Sequence, residues 1–156
     1  MSTRSLTMVI NRKHASESDL GFAQNPVNLD DKSYVNMYLH HDGYLEWRGV
    51  QLANWIKANN NICGDSSKLA AKLVHDMYYD SCYLYPNPDE IDHQYTYVVW
   101  TGDKDDIWIS CYDQYNSTCI LVNRPDQVVE KYSHERFEEG YTTYTDWDKL
   151  NTNKDG

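Results

Sequence analysis

The chain has 156 residues, 40% of them apolar and 13% aromatic, and a formal charge of −10. This is the length of one ordinary domain, and the apolar content excludes a disordered chain. No apolar run approaches the ~18 residues of a membrane span, and the acidic balance argues against direct binding of nucleic acid, whose phosphates need clustered Lys and Arg.

In chain order, Leu6–Ile10 is apolar and β-branched and predicts a strand near 5–10. Residues 11–33 are polar, with Asn25-Pro26 and Asp30-Asp31, and read as a long loop. Tyr34–Leu39 predicts a second strand, near 34–40, which Asp42-Gly43 turns. Leu52, Ala53 and Ile56 mark one face of a helix near 50–59, ended by Asn59-Asn60-Asn61 and Gly64. Asp65 or Ser66 can cap a second helix near 66–78, whose apolar stripe is Leu69, Ala70, Leu73, Val74 and Met77. Pro86-Asn87-Pro88 breaks the chain. A meander then follows, with strands near 95–101, 107–112 and 117–122 joined by Gly102–Asp105 and Asp113–Asn116. Pro125 interrupts the chain again, Asp146–Leu150 reads as a short helical turn, and 151–156 as a frayed tail. The expected architecture is α+β: a single domain over 1–150, with an antiparallel sheet of these five strands and two helices packed on it. Leu6, Val9, Leu52, Ile56, Leu69, Leu73, Met77, Val98, Trp100, Ile109 and Leu121 are the expected core.

The charge is uneven. Residues 76–113 hold nine acidic side chains against Lys104 alone, a net of −8 in a stretch that also carries Tyr83, Tyr85, Tyr95, Trp100 and Trp108. Such a stretch is either a solvated, solubilising face or a docking face in which aromatic anchors sit among acids that steer a basic partner. The candidate docking residues are Tyr83, Tyr85, Asp89, Glu90, Asp92, Asp103, Asp105 and Asp106.

His40-His41-Asp42 gathers two imidazoles and a carboxylate after a strand, a place that often holds functional groups. It admits three readings. A His–Asp pair could act as general base and orienter; His40 and Asp42 with His75 or His93 could hold a divalent metal; or Asp42-Gly43 is a plain turn flanked by ordinary side chains. Consecutive residues of a continuing strand point to opposite faces, which weighs against a joint role of His40 and His41. No phosphate loop, dinucleotide fingerprint, His-Glu-x-x-His or Gly-x-Ser-x-Gly is present, so no cofactor is expected. Asp103, Asp105 and Asp106 lack the ligand ladder of a calcium loop, and no metal is expected. Cys63, Cys82, Cys111 and Cys119 contain no Cys-x-x-Cys pair, and no secretory segment is read at the N-terminus, so free thiols in a reducing cytoplasm are expected, Cys111 as a core residue.

Thr3-Arg4-Ser5-Leu6, His41-Asp42-Gly43-Tyr44, Gly49 and Leu52-Ala53-Asn54-Trp55-Ile56 together resemble the pattern of a family of small, largely uncharacterised proteins, many encoded by tailed bacteriophages, although Leu45 stands where many of them carry Pro. The resemblance covers residues 3–56 and implies a phage origin with no established activity. Together with the acidic, aromatic stretch it leads to the expectation of a phage-type accessory protein. Such a protein would bind and inhibit a host defence or nucleic-acid-handling protein with a basic surface, in the host cytoplasm, without touching nucleic acid or membrane itself. The alternative is a small enzyme or nucleotide sponge built on His40, His41 and Asp42. The oligomeric state is open.

Overall fold

The computed structural model describes residues 3–11, 33–62, 64–78, 82–101 and 107–132. Its axis is a pair of strands, β1 (Ser5–Asn11) and β4 (Tyr95–Thr101), that run parallel in register from Ser5–Tyr95 to Asn11–Thr101. β2 (Ser33–Leu39) pairs antiparallel with β1, and β3 (Cys82–Leu84) adds three residues outside β2. On the other flank β5 (Ile107–Asp113) and β6 (Thr118–Asn123) continue β4 as an antiparallel meander. The order is β3-β2-β1-β4-β5-β6. The α+β class holds, but the sheet is mixed rather than antiparallel. The chain returns after β3 to the end of the sheet where β1 begins, and β4 therefore starts beside Ser5.

The first helix, α1 (Val50–Ala58), is entered through a wide π-helical turn, Leu45–Gly49, that swings Arg48 inward. α2 (Ser66–Met77) begins at Asp65, whose carboxylate accepts from the Lys68 amide at 3.2 Å, and buries Leu69, Ala70, Leu73 and Met77. A third helix, α3 (Pro125–Tyr132), corrects the reading of Pro125 as an interruption. Proline suits the first helical position, where its missing N–H has no partner to lose. The Gln127 side chain reaches back to the Arg124 amide at 2.9 Å, closing half of a capping box.

These helices cover one face of the sheet, where Val9, Met37, Tyr97, Val99, Ile109 and Leu121 meet Leu52, Trp55, Ile56, Leu69, Leu73 and Val128. The second face carries Leu6, Met8, Ile10, Tyr38, Val98 and Trp100, with Tyr85 and Ile91 of the 85–94 loop packed against it. Every residue expected in the core is buried. Leu6, Val98 and Trp100, however, belong to the second layer, which is why β1 and β4 read as continuous apolar runs rather than alternating ones. Among the described residues no helix is long and apolar enough to cross a membrane. The expected helical turn at 146–150, the tail, most of the 11–33 loop and Asp103, Asp105 and Asp106 lie outside the described residues.

Candidate functional site

The His40–Tyr44 turn is a backbone device. Asp42 takes the left-handed conformation at φ 59°, which Asp tolerates better than most residues. Gly43 then passes so close to the start of β1 that a Cβ would lie 2.7 Å from Ser5 Cβ and 2.8 Å from the Thr3 carbonyl oxygen. Its amide donates to that carbonyl at 2.9 Å, and its own carbonyl accepts the buried Tyr97 hydroxyl. The His–Asp pair considered from sequence does not form. His40 Nδ1 meets the Tyr38 hydroxyl at 2.7 Å, the two imidazoles touch edge to face at 4.6 Å, and Asp42 accepts from Tyr44 at 3.4 Å. The two further histidines weighed as metal ligands are elsewhere: His75 lies on the exposed side of α2 against Asp76, and His93 is buried at the loop that enters β4. Among the described residues no group of three or more His, Cys, Asp and Glu is placed to hold a metal ion.

Two buried polar clusters support the helical layer. Asp76 is almost fully buried and accepts from Trp55 Nε1 at 2.9 Å, Lys72 Nζ at 2.6 Å and His75 Nδ1 at 2.9 Å. Burial pushes its carboxyl upward, but the Lys72, His75 and Trp55 donors outweigh this and hold it below the ordinary 3.8. Arg48, also buried, donates to Gln51 Oε1 at 2.7 Å and Thr7 Oγ1 at 3.3 Å and lies against the Met37 and Met77 thioethers. Beside it, burial raises the Tyr97 hydroxyl well above 10.0 and the Cys111 thiol well above 9.0, so neither is a poised nucleophile. Cys111 is a core residue and, with Cys82 and Cys119, a free thiol.

Of the acidic candidates, Asp89, Glu90 and Asp92 lie on the loop that crosses the second face at the end where β1 and β4 begin. The 85–94 loop crosses that face and is tied down by Asn36, whose amide donates to the Tyr85 and Pro86 carbonyls at 3.2 and 3.1 Å. It is also held by the Arg4 carbonyl, which accepts from the Gln94 and Tyr95 amides. Asp92 lies 3.9 Å from Arg4 and accepts from Tyr115 at 3.4 Å. Tyr85 packs edge-on to Tyr38 at 5.9 Å, and Tyr83 is the register partner of Tyr38 on β2. Burial raises the Tyr38 hydroxyl, the Arg4 charge opposes this, and Tyr85, Asp92 and Tyr115 add to it, so all four surround one ring. Tyr83, Leu84 and Tyr115 are 57, 54 and 58% exposed, and Asp89, Glu90 and Asp92 are exposed with them.

The structure thus brings Tyr83, Tyr85, Asp92 and His40 to one corner and adds Arg4 and Tyr115. Tyr115 was missed because it sits in the Asp113–Asn116 turn, 23 residues beyond Asp92, the acid it meets. Its one sequence signal is an aromatic ring in a polar turn. A groove of about 470 Å³ along β6 is lined by Ser117–Asn123 and has no charged side chain, so it offers an anionic ligand no cation. Compared with protein-family models, curated proteins and solved structures, the chain matches none, and the resemblance over residues 3–56 stands on its own motifs.

Proposed function

We propose that the protein acts by stoichiometric binding, docking the Tyr83–Asp92 segment and Tyr115 against a basic surface of a partner protein. The phage origin suggested by the N-terminal motifs makes that partner a host protein of defence or nucleic-acid handling, inhibited in the host cytoplasm by occlusion. One observation carries this reading: two large exposed side chains, Tyr83 and Tyr115, lie with exposed Asp89, Glu90 and Asp92 at one corner. Aromatic anchors supply most of the energy of a typical interface, and acids around them speed encounter with a basic face. Arg4 lies 3.9 Å from the Asp92 carboxylate at the edge of the patch.

The enzymatic alternative has less support. Asp42 orients neither imidazole, and His41 and Asp42 are exposed on a turn whose geometry is explained by the backbone. Site-specific photocrosslinking tests the docking reading. A benzophenone side chain at position 83 or 115 is expected to capture one protein from a bacterial lysate, and the same group at Ile120, on the opposite sheet edge, is not. Equal capture from all three positions would refute the assignment.

A further inference from the structure

We propose that His93 is a pH-sensitive latch, holding the acidic docking loop on the sheet when its imidazole is neutral and releasing it when the imidazole is protonated. This rests on the docking reading of the 85–94 loop and adds its regulation.

The hydrogen bonds of His93 set the tautomer of its neutral ring. His93 is only 7% exposed where the loop enters β4. Its Nδ1 lies 2.9 Å from the Ile91 carbonyl, which can only accept, so Nδ1 carries a proton. Its Nε2 lies 2.7 Å from Thr96 Oγ1, and that oxygen already accepts from Gln114 Nε2 at 2.7 Å. In the neutral imidazole, with its proton on Nδ1, Nε2 is bare and accepts from the Thr96 hydroxyl. A proton added at Nε2 turns this acceptor into a donor. It leaves the Thr96 hydroxyl hydrogen without that partner at a site 2% exposed, and it buries a cation.

The surroundings do not solvate that cation. A hollow of about 70 Å³ beside the ring is walled by Met8 and Pro88 as well as Asp89, Thr96 and Gln114. From the loop, Asp92 and Asp89 favour the charged form; from β1's leading segment Arg4 lies within salt-bridge range of Asp92; β4 and the β5–β6 turn contribute only the neutral Thr96 and Gln114. Burial outweighs the two carboxylates and holds the imidazole below its ordinary 6.5. Opening the loop returns the ring to water and to that ordinary value, so protons favour the open form. The bonds released are those that seat the loop: Gln94 and Tyr95 amides to the Arg4 carbonyl at 3.0 and 3.2 Å, and the Gln114 amide to the Gln94 carbonyl at 2.7 Å.

Hydrogen exchange on the protein alone tests the latch. After correction for intrinsic exchange, opening of the 85–95 segment should rise between pH 7.5 and 5.0 by up to about thirtyfold, the ceiling set by an open-state value of 6.5. The amides of Ile109–Tyr112 should change less, and His93→Gln should flatten the response. An equal rise in His93→Gln, or none in the wild type, overturns the proposal. If His93→Gln does not fold, imidazole nitrogen NMR of the wild type decides: an Nδ1–H tautomer titrating below 6.5 is expected, and an Nε2–H tautomer or a value at or above 6.5 overturns it. No partner is needed, so failure here is distinct from failure of the docking reading, which shows in the binding of charge-reversed variants.

Discussion

Asp76 is the side chain whose removal should cost the fold most for the fewest atoms. It joins α2 to α1 through the Trp55 indole, which is 1% exposed, and holds the Lys72 ammonium, which is one-third exposed. Asp76→Ala leaves the indole N–H buried without its acceptor, a loss of about 1–3 kcal/mol. It also strands Lys72, which can turn partly to water, so the total should fall near the lower end of the ~3–5 kcal/mol typical of a broken buried pair. For a chain of this length about 3 kcal/mol lowers the melting temperature by roughly 6–12 °C. Trp55→Phe keeps most of the packing and removes the same hydrogen bond from the other side. In urea denaturation the two changes should couple by about 1–2 kcal/mol in a double-mutant cycle, while His75→Ala, at a side chain 78% exposed, should change stability little. Strict additivity of Asp76→Ala and Trp55→Phe, or an Asp76→Ala loss under ~1 kcal/mol, would show that the carboxylate does not tie the helices together.

The turn and the titrating groups give further expectations. Gly43→Ala should cost about 1–3 kcal/mol by overpacking, because its Cβ meets Ser5 and the Thr3 carbonyl; thermal melting reads this. Asp42→Gly should be tolerated and Asp42→Val should cost about 1–3 kcal/mol, because only the latter is strained at φ 59°. Stability should fall in two acid steps in pH-dependent denaturation. His93, held below its ordinary 6.5, contributes stability that is present above that value and is lost as pH falls toward its folded value. Asp76, held below 3.8, contributes stability that is lost only as pH drops beneath that value. His93→Gln should remove the first step and leave the second.

What the sequence made legible was local. α2 declares itself through a capping Asp65 and an apolar stripe at Leu69, Leu73 and Met77, and the meander through its turns, because both are decided by residues a few positions apart. The parallel β1–β4 pairing was not legible: Ser5 meets Tyr95 across ninety residues, and no periodicity encodes a partner that distant. β3 was missed because three residues, Cys82–Leu84, carry no pattern and are held as a strand by Met37–Leu39 alone. α3 could have been found, since Pro125 and Asp126 are favourable first-turn residues and Gln127 caps backward.

The candidate site divides along the same line. His40-His41-Asp42 attracted attention because its members are adjacent in sequence, and the fold uses them mainly to shape a turn. The corner formed by Tyr83, Tyr85, Asp92, Arg4 and Tyr115 joins segments more than a hundred residues apart. Only its acidic, aromatic composition was visible beforehand.

Association kinetics with the captured partner test the docking claim most directly. Replacing Asp89, Glu90 and Asp92 with Lys should slow association more than it speeds dissociation, since surrounding charges steer encounter. Tyr83→Ala or Tyr115→Ala should speed dissociation, as loss of an anchor does. Raising salt from ~0.1 to ~1 M, which shortens the screening length from about 10 to 3 Å, should slow association of the wild type and leave the Lys variant nearly unmoved. A partner that binds the wild type equally well at both salts, and ignores the triple replacement and both tyrosine variants, would contradict the account and leave the acidic segment a solubilising surface.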